Sequence, residues 1–208
     1  MTLRARTPKA KSDRERLLLS AALNVFFSKG FQAARMQDIA EEAGLSKGTV
    51  YIYFGSKEEV FQALIDTLAK PNVEHIQTLL QTAPTVTQGL RMMNGFARQL
   101  IVETDMPKFL KVLVGESQLF PEIVADYHAE VINPTLQLME RRLDEVVDSG
   151  ELAVPDTHIA ARQIMTPVIF SGLWESVFSK TQTLDYAALL SAHVEALLCA
   201  WAPKDTTS

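Results

Sequence analysis

Residues 36–57 read MQDIAEEAGLSKGTVYIYFGSK, and this stretch predicts a helix, a tight turn and a second short helix. In the first helix Ile39 and Ala43 share one face, because residues four apart are neighbours on a helix. Gly44 supplies the left-handed backbone conformation that ends a helix without strain on a Cβ atom. Ser46 is a typical capping residue, and it predicts that the second helix begins at the next position. The stretch therefore indicates a helix-turn-helix.

The second short helix is predicted to present polar side chains to solvent. Val50 and Phe54 are expected to face the core. The opposite face is expected to carry Lys47, Gly48, Thr49, Tyr51 and Tyr53. Such a face adds little to stability but suits a DNA groove, since lysine reaches phosphate, hydroxyl groups bond phosphate or base edges, and glycine permits close approach. With the capping Ser46, these residues are candidate DNA-binding residues.

Charge is divided unevenly along the 208 residues, whose net charge is −5. Residues 1–57 hold ten lysine and arginine residues against five acidic ones, whereas residues 58–208 hold ten against twenty. A basic head on an acidic body is expected to orient the molecule toward a polyanion. Residues 1–11 are predicted to form a disordered basic arm, which either attracts phosphate nonspecifically or enters a minor groove.

Residues 30–61, GFQAARMQDIAEEAGLSKGTVYIYFGSKEEVF, resemble the DNA-binding domain of the TetR family of transcriptional regulators. The resemblance covers about residues 12–65 and keeps the pattern I-A-x-x-A-G-[VL]-S-x-G-x-x-Y-x-[YH]-F-x-x-K-E in register. It implies a dimer that binds a palindromic DNA operator, and it makes Lys57 the phosphate-contacting lysine. Where the family usually has threonine or serine, this chain has Ala34 and Arg35, so Arg35 would contact phosphate by charge instead.

The remaining sequence predicts further helices and no strands. The capping box that begins at Ser12 is expected to open the first helix, Gly30 to end it, and Thr183 to cap the last helix. About nine helices follow, so the fold class is all-α. We expect a helix-turn-helix domain over residues 12–57, and a ligand-binding and dimerisation domain over residues 58–208.

The predicted second domain resembles the corresponding region of AcrR- and AefR-like members of the family. Pro134 and Pro167 are expected to kink their helices, and diverging helices lined by methionine and aromatic side chains can enclose a small hydrophobic effector. The alternative is that these side chains are ordinary core, and that the polar ones are solvated or hydrogen-bonded. The candidate ligand-binding residues are Met93, Phe96, Phe109, Glu116, Phe120, His128, Phe170 and Trp174.

The last two predicted helices have wide apolar faces that exceed what a monomer should expose. Two such helices packed against their symmetry mates would form a four-helix homodimer interface. Dimerisation also suits the head, because one recognition helix reads only a half-site.

Several functional classes find no support in the sequence. No apolar run is long enough for a membrane span, and the motifs of nucleotide, metal or hydrolytic sites are missing, so we expect no enzyme, cofactor or metal site. The one cysteine, Cys199, fits a cytoplasmic protein and is predicted to be a buried thiol. We therefore predict a ligand-responsive regulator, most simply a repressor. The alternative is a helical small-molecule-binding or scaffold protein without DNA binding.

Overall fold

The computed structural model describes residues 8–203, and within them the fold is all-α, as predicted. Nine helices follow one another along residues 8–203, and two of them are continuous runs that include a π-helical turn. The single-segment helices are α1 (Pro8–Lys29), α2 (Met36–Glu42), α3 (Lys47–Tyr53), α5 (Val86–Glu103), α6 (Met106–Glu116), α8 (Thr157–Phe178) and α9 (Tyr186–Ala200). Helix α4 comprises Lys57–Leu64, the π-turn Ile65–Ala69 and Lys70–Thr82; helix α7 comprises Pro121–Tyr127, the π-turn His128–Ile132 and Asn133–Ser149.

Each π-turn ends two residues before a proline. Pro71 and Pro134 each occupy the second position of the α-helical segment that follows its π-turn. Proline lacks the N–H that an α-helix needs, and a locally wider turn is one way to continue the helix past it. Neither proline ends its helix.

Two predicted helix starts were wrong. Helix α1 begins at Pro8, so Ser12 and Asp13 lie inside the helix, and the Asp13 carboxylate pairs with Arg16 at 3.2 Å. Residues 8–11, which were predicted to belong to a disordered arm, are therefore helical, and the rest of that arm, residues 1–7, lies outside the described residues. A proline is well suited to a first turn, because its fixed φ is helical and its missing N–H is not needed there. Helix α9 is capped by the Asp185 side chain, which accepts from the Ala188 N–H at 3.0 Å, and not by Thr183.

The chain divides into two compact units that each collect separate segments. The first unit contains the described residues up to Leu68 together with Lys108–Asp126. The second unit contains Ala69–Pro107 and the residues from Tyr127 onward. The first compact unit thus contains α6 and the start of α7 as well as the helix-turn-helix. The division into a DNA-binding domain up to residue 57 and a ligand-binding domain after it stays a prediction.

The core of the first unit is aromatic. The Phe31 ring makes edge-on contacts with Phe26, Phe61 and Phe120, at centroid distances of 4.9, 5.5 and 4.6 Å. Phe109 from α6 stacks against Phe61 at 5.3 Å and is fully buried. Such ring pairs add stability beyond the area they bury, so this cluster fixes how the helices of the unit pack.

In the second unit, a hydrogen bond near Pro167 links helices α8 and α9. The carbonyl of Gln163 would normally accept from the residue at position 167, but proline has no N–H to donate. Instead, the Nε2 atom of His193 on α9 lies 2.9 Å from this oxygen. A carbonyl oxygen only accepts, so Nε2 carries the proton. The carbonyl that Pro167 leaves without its usual helical donor is therefore bonded by a side chain from the neighbouring helix.

The prediction for Cys199 was wrong, because its side chain is exposed. The inner stripe of α9 is Tyr186, Leu190, Val194 and Leu198, and Cys199 lies beside it on the outer face.

Among the described residues, no helix is both long and apolar enough to cross a membrane. Over the same residues, acidic, histidine and cysteine side chains form no group of three that could hold a metal ion.

Candidate nucleic-acid interface

The turn between α2 and α3 has the geometry that the sequence predicts. Gly44 adopts the left-handed conformation, with φ of 64°, and the Leu45 N–H donates to the Ala40 carbonyl at 2.8 Å. The Ser46 Oγ atom accepts from the Thr49 N–H at 3.2 Å, which caps the start of α3. A hydroxyl cap satisfies one of the N–H groups that a helix start leaves unpaired. Local hydrogen bonds thus set where α3 begins.

Four residues form the outward face of α3: Lys47, Gly48, Tyr51 and Ile52. All four are exposed, and the spacing i, i+1, i+4, i+5 places them on one side of the helix. The Tyr51 side chain is 47% exposed and that of Ile52 is 78% exposed. The Nζ atom of Lys47 lies 5.7 Å from the centroid of the Tyr51 ring. This face carries a cation, a phenol, a bare backbone position and one apolar side chain.

The predicted helix face was incorrect for Thr49. Its side chain is 6% exposed, and its hydroxyl lies 2.8 Å from the Ser46 Oγ atom. Tyr53 is half-buried, with its ring 6.5 Å from that of Phe54. A DNA contact by Thr49 stays a prediction that its burial disfavours.

Ile52 is missing from the predicted face although the sequence contained the signal for it. Val50 and Phe54 are four residues apart and both are buried, which fixes the inner side of the helix. Ile52 lies midway between them and so must point away. The prediction named only polar residues and a glycine on this face and did not place Ile52.

Gly48 is not required by the protein itself. Its φ is not positive, and a Cβ atom built there meets only the Ser46 Oγ atom, at 3.9 Å. Neither strain nor crowding within the described protein therefore explains a glycine at this exposed helical position.

Arg35 is the N-cap residue of α2, and its side chain makes no capping hydrogen bond. The Asp38 carboxylate caps the helix in the reverse direction, because it accepts from the Arg35 N–H at 2.9 Å. The same carboxylate pairs with Lys29 at 2.9 Å. The hydrogen bond from Lys29, followed by that from the Arg35 backbone, lowers the pKa of Asp38. The Arg35 side chain is exposed on the same helix-turn-helix.

Lys57 has structural partners that the sequence did not reveal. Its Nζ atom donates to the carbonyls of Phe31 and Gln32, at 2.7 and 3.0 Å. The ammonium also lies 4.7 Å from the centroid of the Phe31 ring. An ammonium has three N–H donors, so two are used within the fold and one remains for another acceptor. Lys57 therefore ties the start of α4 to the loop after α1.

Two acidic residues, Glu58 and Glu59, lie in the first turn of α4. The Ser56 Oγ atom caps the helix by accepting from the Glu59 N–H at 3.2 Å. Both glutamates are exposed, and the Glu59 carboxylate accepts from the Gly55 N–H at 2.7 Å. One of the two carboxylates is thus engaged with the backbone of its own turn.

Three predicted ligand-binding residues lie in the first unit: Phe109, Glu116 and Phe120. The Oε1 atom of Glu116 accepts from the Phe31 N–H at 3.0 Å. Glu116 and Lys57 thus bond the two backbone polar groups of Phe31, its N–H and its carbonyl. Phe31, Phe61, Leu113, Glu116, Phe120, Ile123 and Val124 line a narrow apolar crevice. A ligand role for these residues stays a prediction, while the contacts show that they help build the first unit.

The other five predicted ligand-binding residues lie in the second unit, in different surroundings. Met93 and Phe96 belong to the larger core cluster, and the Phe96 ring lies 4.2 Å from His75. Trp174 packs against a smaller cluster and lies 5.5 Å from the exposed Phe170 ring. His128 is exposed. These residues stay candidates, and they belong to several clusters and not to one wall.

Comparison with known proteins matches two family descriptions. Residues 18–64 match "Bacterial regulatory proteins, tetR family", and residues 88–201 match "AefR-like transcriptional repressor, C-terminal domain". The uncharacterised HTH-type transcriptional regulator YhgD of Bacillus subtilis is 41% identical over 189 residues, which cover 88% of this chain and 95% of YhgD. Two other curated relatives are the uncharacterised HTH-type transcriptional regulators YfiR and YuxN of Bacillus subtilis. The match covers 30% of the length of YfiR and 29% of that of YuxN.

Two solved structures illustrate the shared fold. SmeT in complex with triclosan has a TM-score of 0.74 at 21% identity, covering 93% of both chains. SmeT is the repressor of the Stenotrophomonas maltophilia multidrug efflux pump SmeDEF. The fatty acid degradation regulator FadR from Bacillus halodurans has a TM-score of 0.70 at 24% identity, covering 94% of this chain and 97% of FadR.

Proposed function

This chain belongs to the TetR family of bacterial transcriptional regulators, and from that premise we propose that it is a cytoplasmic repressor. It binds a palindromic operator as a homodimer, and a small hydrophobic ligand releases it. The observation that carries DNA binding is the outward face of α3, which exposes Lys47, Gly48, Tyr51 and Ile52 together.

Contacts to DNA are divided between direct and supporting residues. Lys47 and Tyr51 are placed to reach phosphate and base edges, and Gly48 allows close approach of the helix. Arg35 and the remaining donor of Lys57 add phosphate contacts from the flanking turns. Ser46, Thr49 and Tyr53 hold the start and the inner side of α3, so their contribution is to position the helix.

The dimer uses the exposed apolar face of α8. Ile159, Phe170 and Val177 are each about half exposed, and their spacings of eleven and seven residues are close to whole helical turns. Ile169 and Phe178 extend the exposed apolar surface on the same helix. The outer face of α9 offers small residues such as Ala188 and Ala192, against which bulky side chains of a second copy can pack.

The effector is an apolar small molecule bound by the second unit. The names of two structural neighbours, a triclosan complex and a fatty acid degradation regulator, support this ligand class. Binding that favours one geometry of the dimer would change the separation of the two α3 helices and so the affinity for a palindrome. Both tryptophans, Trp174 and Trp201, lie in the second unit, so titration with triclosan or a fatty acid can be followed by intrinsic fluorescence.

A binding experiment tests the central claim. The purified protein is titrated against the DNA that flanks its own gene, with excess nonspecific competitor, and binding is followed by gel shift or fluorescence anisotropy. We expect a specific complex with a dissociation constant in the range typical of regulators, about 10⁻⁸ to 10⁻¹¹ M. Tyr51→Ala should weaken this complex by on the order of 1–3 kcal/mol and leave the melting temperature nearly unchanged. Binding no tighter than to competitor DNA would favour the alternative of a helical binding or scaffold protein.

A further inference from the structure

We propose that Ile52 determines specificity by contacting the C5-methyl group of a thymine in the major groove of the operator. This inference rests on the proposed function, because it assumes that α3 enters the DNA groove. It assigns to the half-site a thymine that the protein recognises by its methyl group.

Folding alone does not account for an isoleucine at this position. Its side chain is 78% exposed, whereas burial is what makes an apolar side chain stabilising. A β-branched residue is also a weaker helix former than alanine or leucine, so Ile52 does not favour α3 through propensity. The neighbouring Val50, by contrast, is fully buried. A contact with another molecule therefore explains the exposed Ile52 better than folding does.

The surroundings of Ile52 leave its apolar surface open. Helical side chains lean toward the N-terminus, so Ile52 lies over the position four residues earlier, which is Gly48. Gly48 has no side chain to cover it, and the nearest atom to a Cβ built there is the Ser46 Oγ atom at 3.9 Å. Lys47 and Tyr51 flank this patch on the same face. An apolar spot is thus bordered by a cation and a phenol.

DNA offers a partner for each part of this combination. The cation and the phenol suit phosphate oxygens, which line both edges of a groove. Within the major groove, the base edges present hydrogen-bonding groups and one apolar group, the C5-methyl of thymine. An isoleucine side chain cannot form hydrogen bonds with the polar groups, but it packs favourably against the methyl group. A thymine methyl is therefore the group on DNA that Ile52 recognises.

The experiment removes the methyl group and the side chain separately and together. The shortest duplex that the wild-type protein binds, taken from the DNA flanking its gene, is prepared with each thymine replaced in turn by deoxyuridine, which lacks only the methyl. Affinities are measured for the wild type, for Ile52→Ala and for Val114→Ala. Val114 is a matched control, because it is an exposed β-branched residue in the same unit. Circular dichroism and sedimentation check that each variant folds and keeps its oligomeric state.

We expect deoxyuridine at one position in each half-site to weaken wild-type binding by about fourfold per methyl group. Val114→Ala should show the same loss, whereas Ile52→Ala should bind both duplexes with equal affinity. If every deoxyuridine duplex binds the wild type normally, or if Ile52→Ala keeps the methyl sensitivity, the inference is overturned while the proposed function stands. It is also overturned if Ile52→Ala changes only the oligomeric state, because Ile52 then contacts protein. A wild-type protein that binds no duplex specifically overturns the proposed function and this inference together.

Discussion

Gly48 is a residue at which stability and DNA affinity should respond in opposite directions. Alanine is a better helix former than glycine, and the protein leaves room for a Cβ atom, so Gly48→Ala should stabilise the fold by about 0.5–1 kcal/mol. The added methyl would point out of α3 and hold the backbone away from DNA, so operator affinity should fall. Thermal unfolding and DNA titration measure the two effects.

Gly95→Ala is a matched control for this substitution. Gly95 is exposed within α5, and a Cβ atom built there meets nothing within 4 Å. It should gain similar stability with no change in DNA binding. A Gly48→Ala protein that is more stable yet binds operator as tightly as the wild type would show that α3 does not approach DNA at this position.

Lys57 is predicted to serve both the fold and the DNA contact, and the two roles have separate measurements. Lys57→Met keeps the apolar stem but removes the two hydrogen bonds to the carbonyls of Phe31 and Gln32. We expect a loss of about 1–2 kcal/mol of stability, because these bonds are charge-assisted but partly exposed. If the third donor reaches phosphate, the slope of log affinity against log salt should also flatten by about one unit per protomer.

The control for Lys57→Met is Lys180→Met, which removes one positive charge from the second unit. It should change neither stability nor the salt slope appreciably. A lower stability of Lys57→Met with an unchanged slope would assign Lys57 to the fold alone and remove it from the phosphate contacts.

At the scale of helices, the sequence predicted those helix starts and ends that depend on local hydrogen bonds. The cap at Ser46 and the left-handed Gly30 and Gly44 after α1 and α2 are all as expected, because each depends on atoms within one turn. The two errors, at the starts of α1 and α9, arose where a neighbouring residue offered an equally good start. Local rules rank such neighbours poorly.

Which face of a helix is buried was harder to predict than where the helix lies. Helix α9 is apolar on most of its surface, so its periodicity does not single out an inner side, and Cys199 was misassigned for that reason. In α3 the cause was different, because Val50 and Phe54 do indicate the inner side, yet hydroxyl-bearing Thr49 was predicted to be exposed and is buried, and apolar Ile52 is exposed. The two hydrogen bonds of Lys57 could not be predicted, because they depend on tertiary contacts.

The contact between His193 and Gln163 should be a stabilising link between α8 and α9. His193→Ala would leave the Gln163 carbonyl without its 2.9 Å partner, and we expect a cost of about 0.5–1.5 kcal/mol in the free energy of unfolding. His128→Ala, at an exposed position, is the control and should cost little. Chemical denaturation of both variants gives the comparison.

A double substitution tests whether Pro167 is the reason for that link. Pro167→Ala restores an N–H that can bond the Gln163 carbonyl within α8. In that background His193→Ala should cost less than it does alone, which a double-mutant cycle would measure as a coupling energy. Equal costs in both backgrounds would mean that His193 stabilises the protein through packing alone.

For the whole molecule, the decisive question is whether the exposed face of α8 joins two copies. A palindrome is read only if two α3 helices are held at a fixed spacing, so loss of the dimer should abolish specific binding even with α3 intact. Val177→Glu places a carboxylate on this face, where an unpaired buried charge costs on the order of 3–5 kcal/mol. The dimer dissociation constant should therefore rise by more than about 100-fold, and sedimentation velocity at micromolar concentration should show monomers. Val147→Glu, at an exposed position on α7, should leave the dimer and operator binding unchanged. If Val177→Glu stays dimeric and binds operator, the interface lies elsewhere, and the apolar face of α8 must be covered by something other than a second copy.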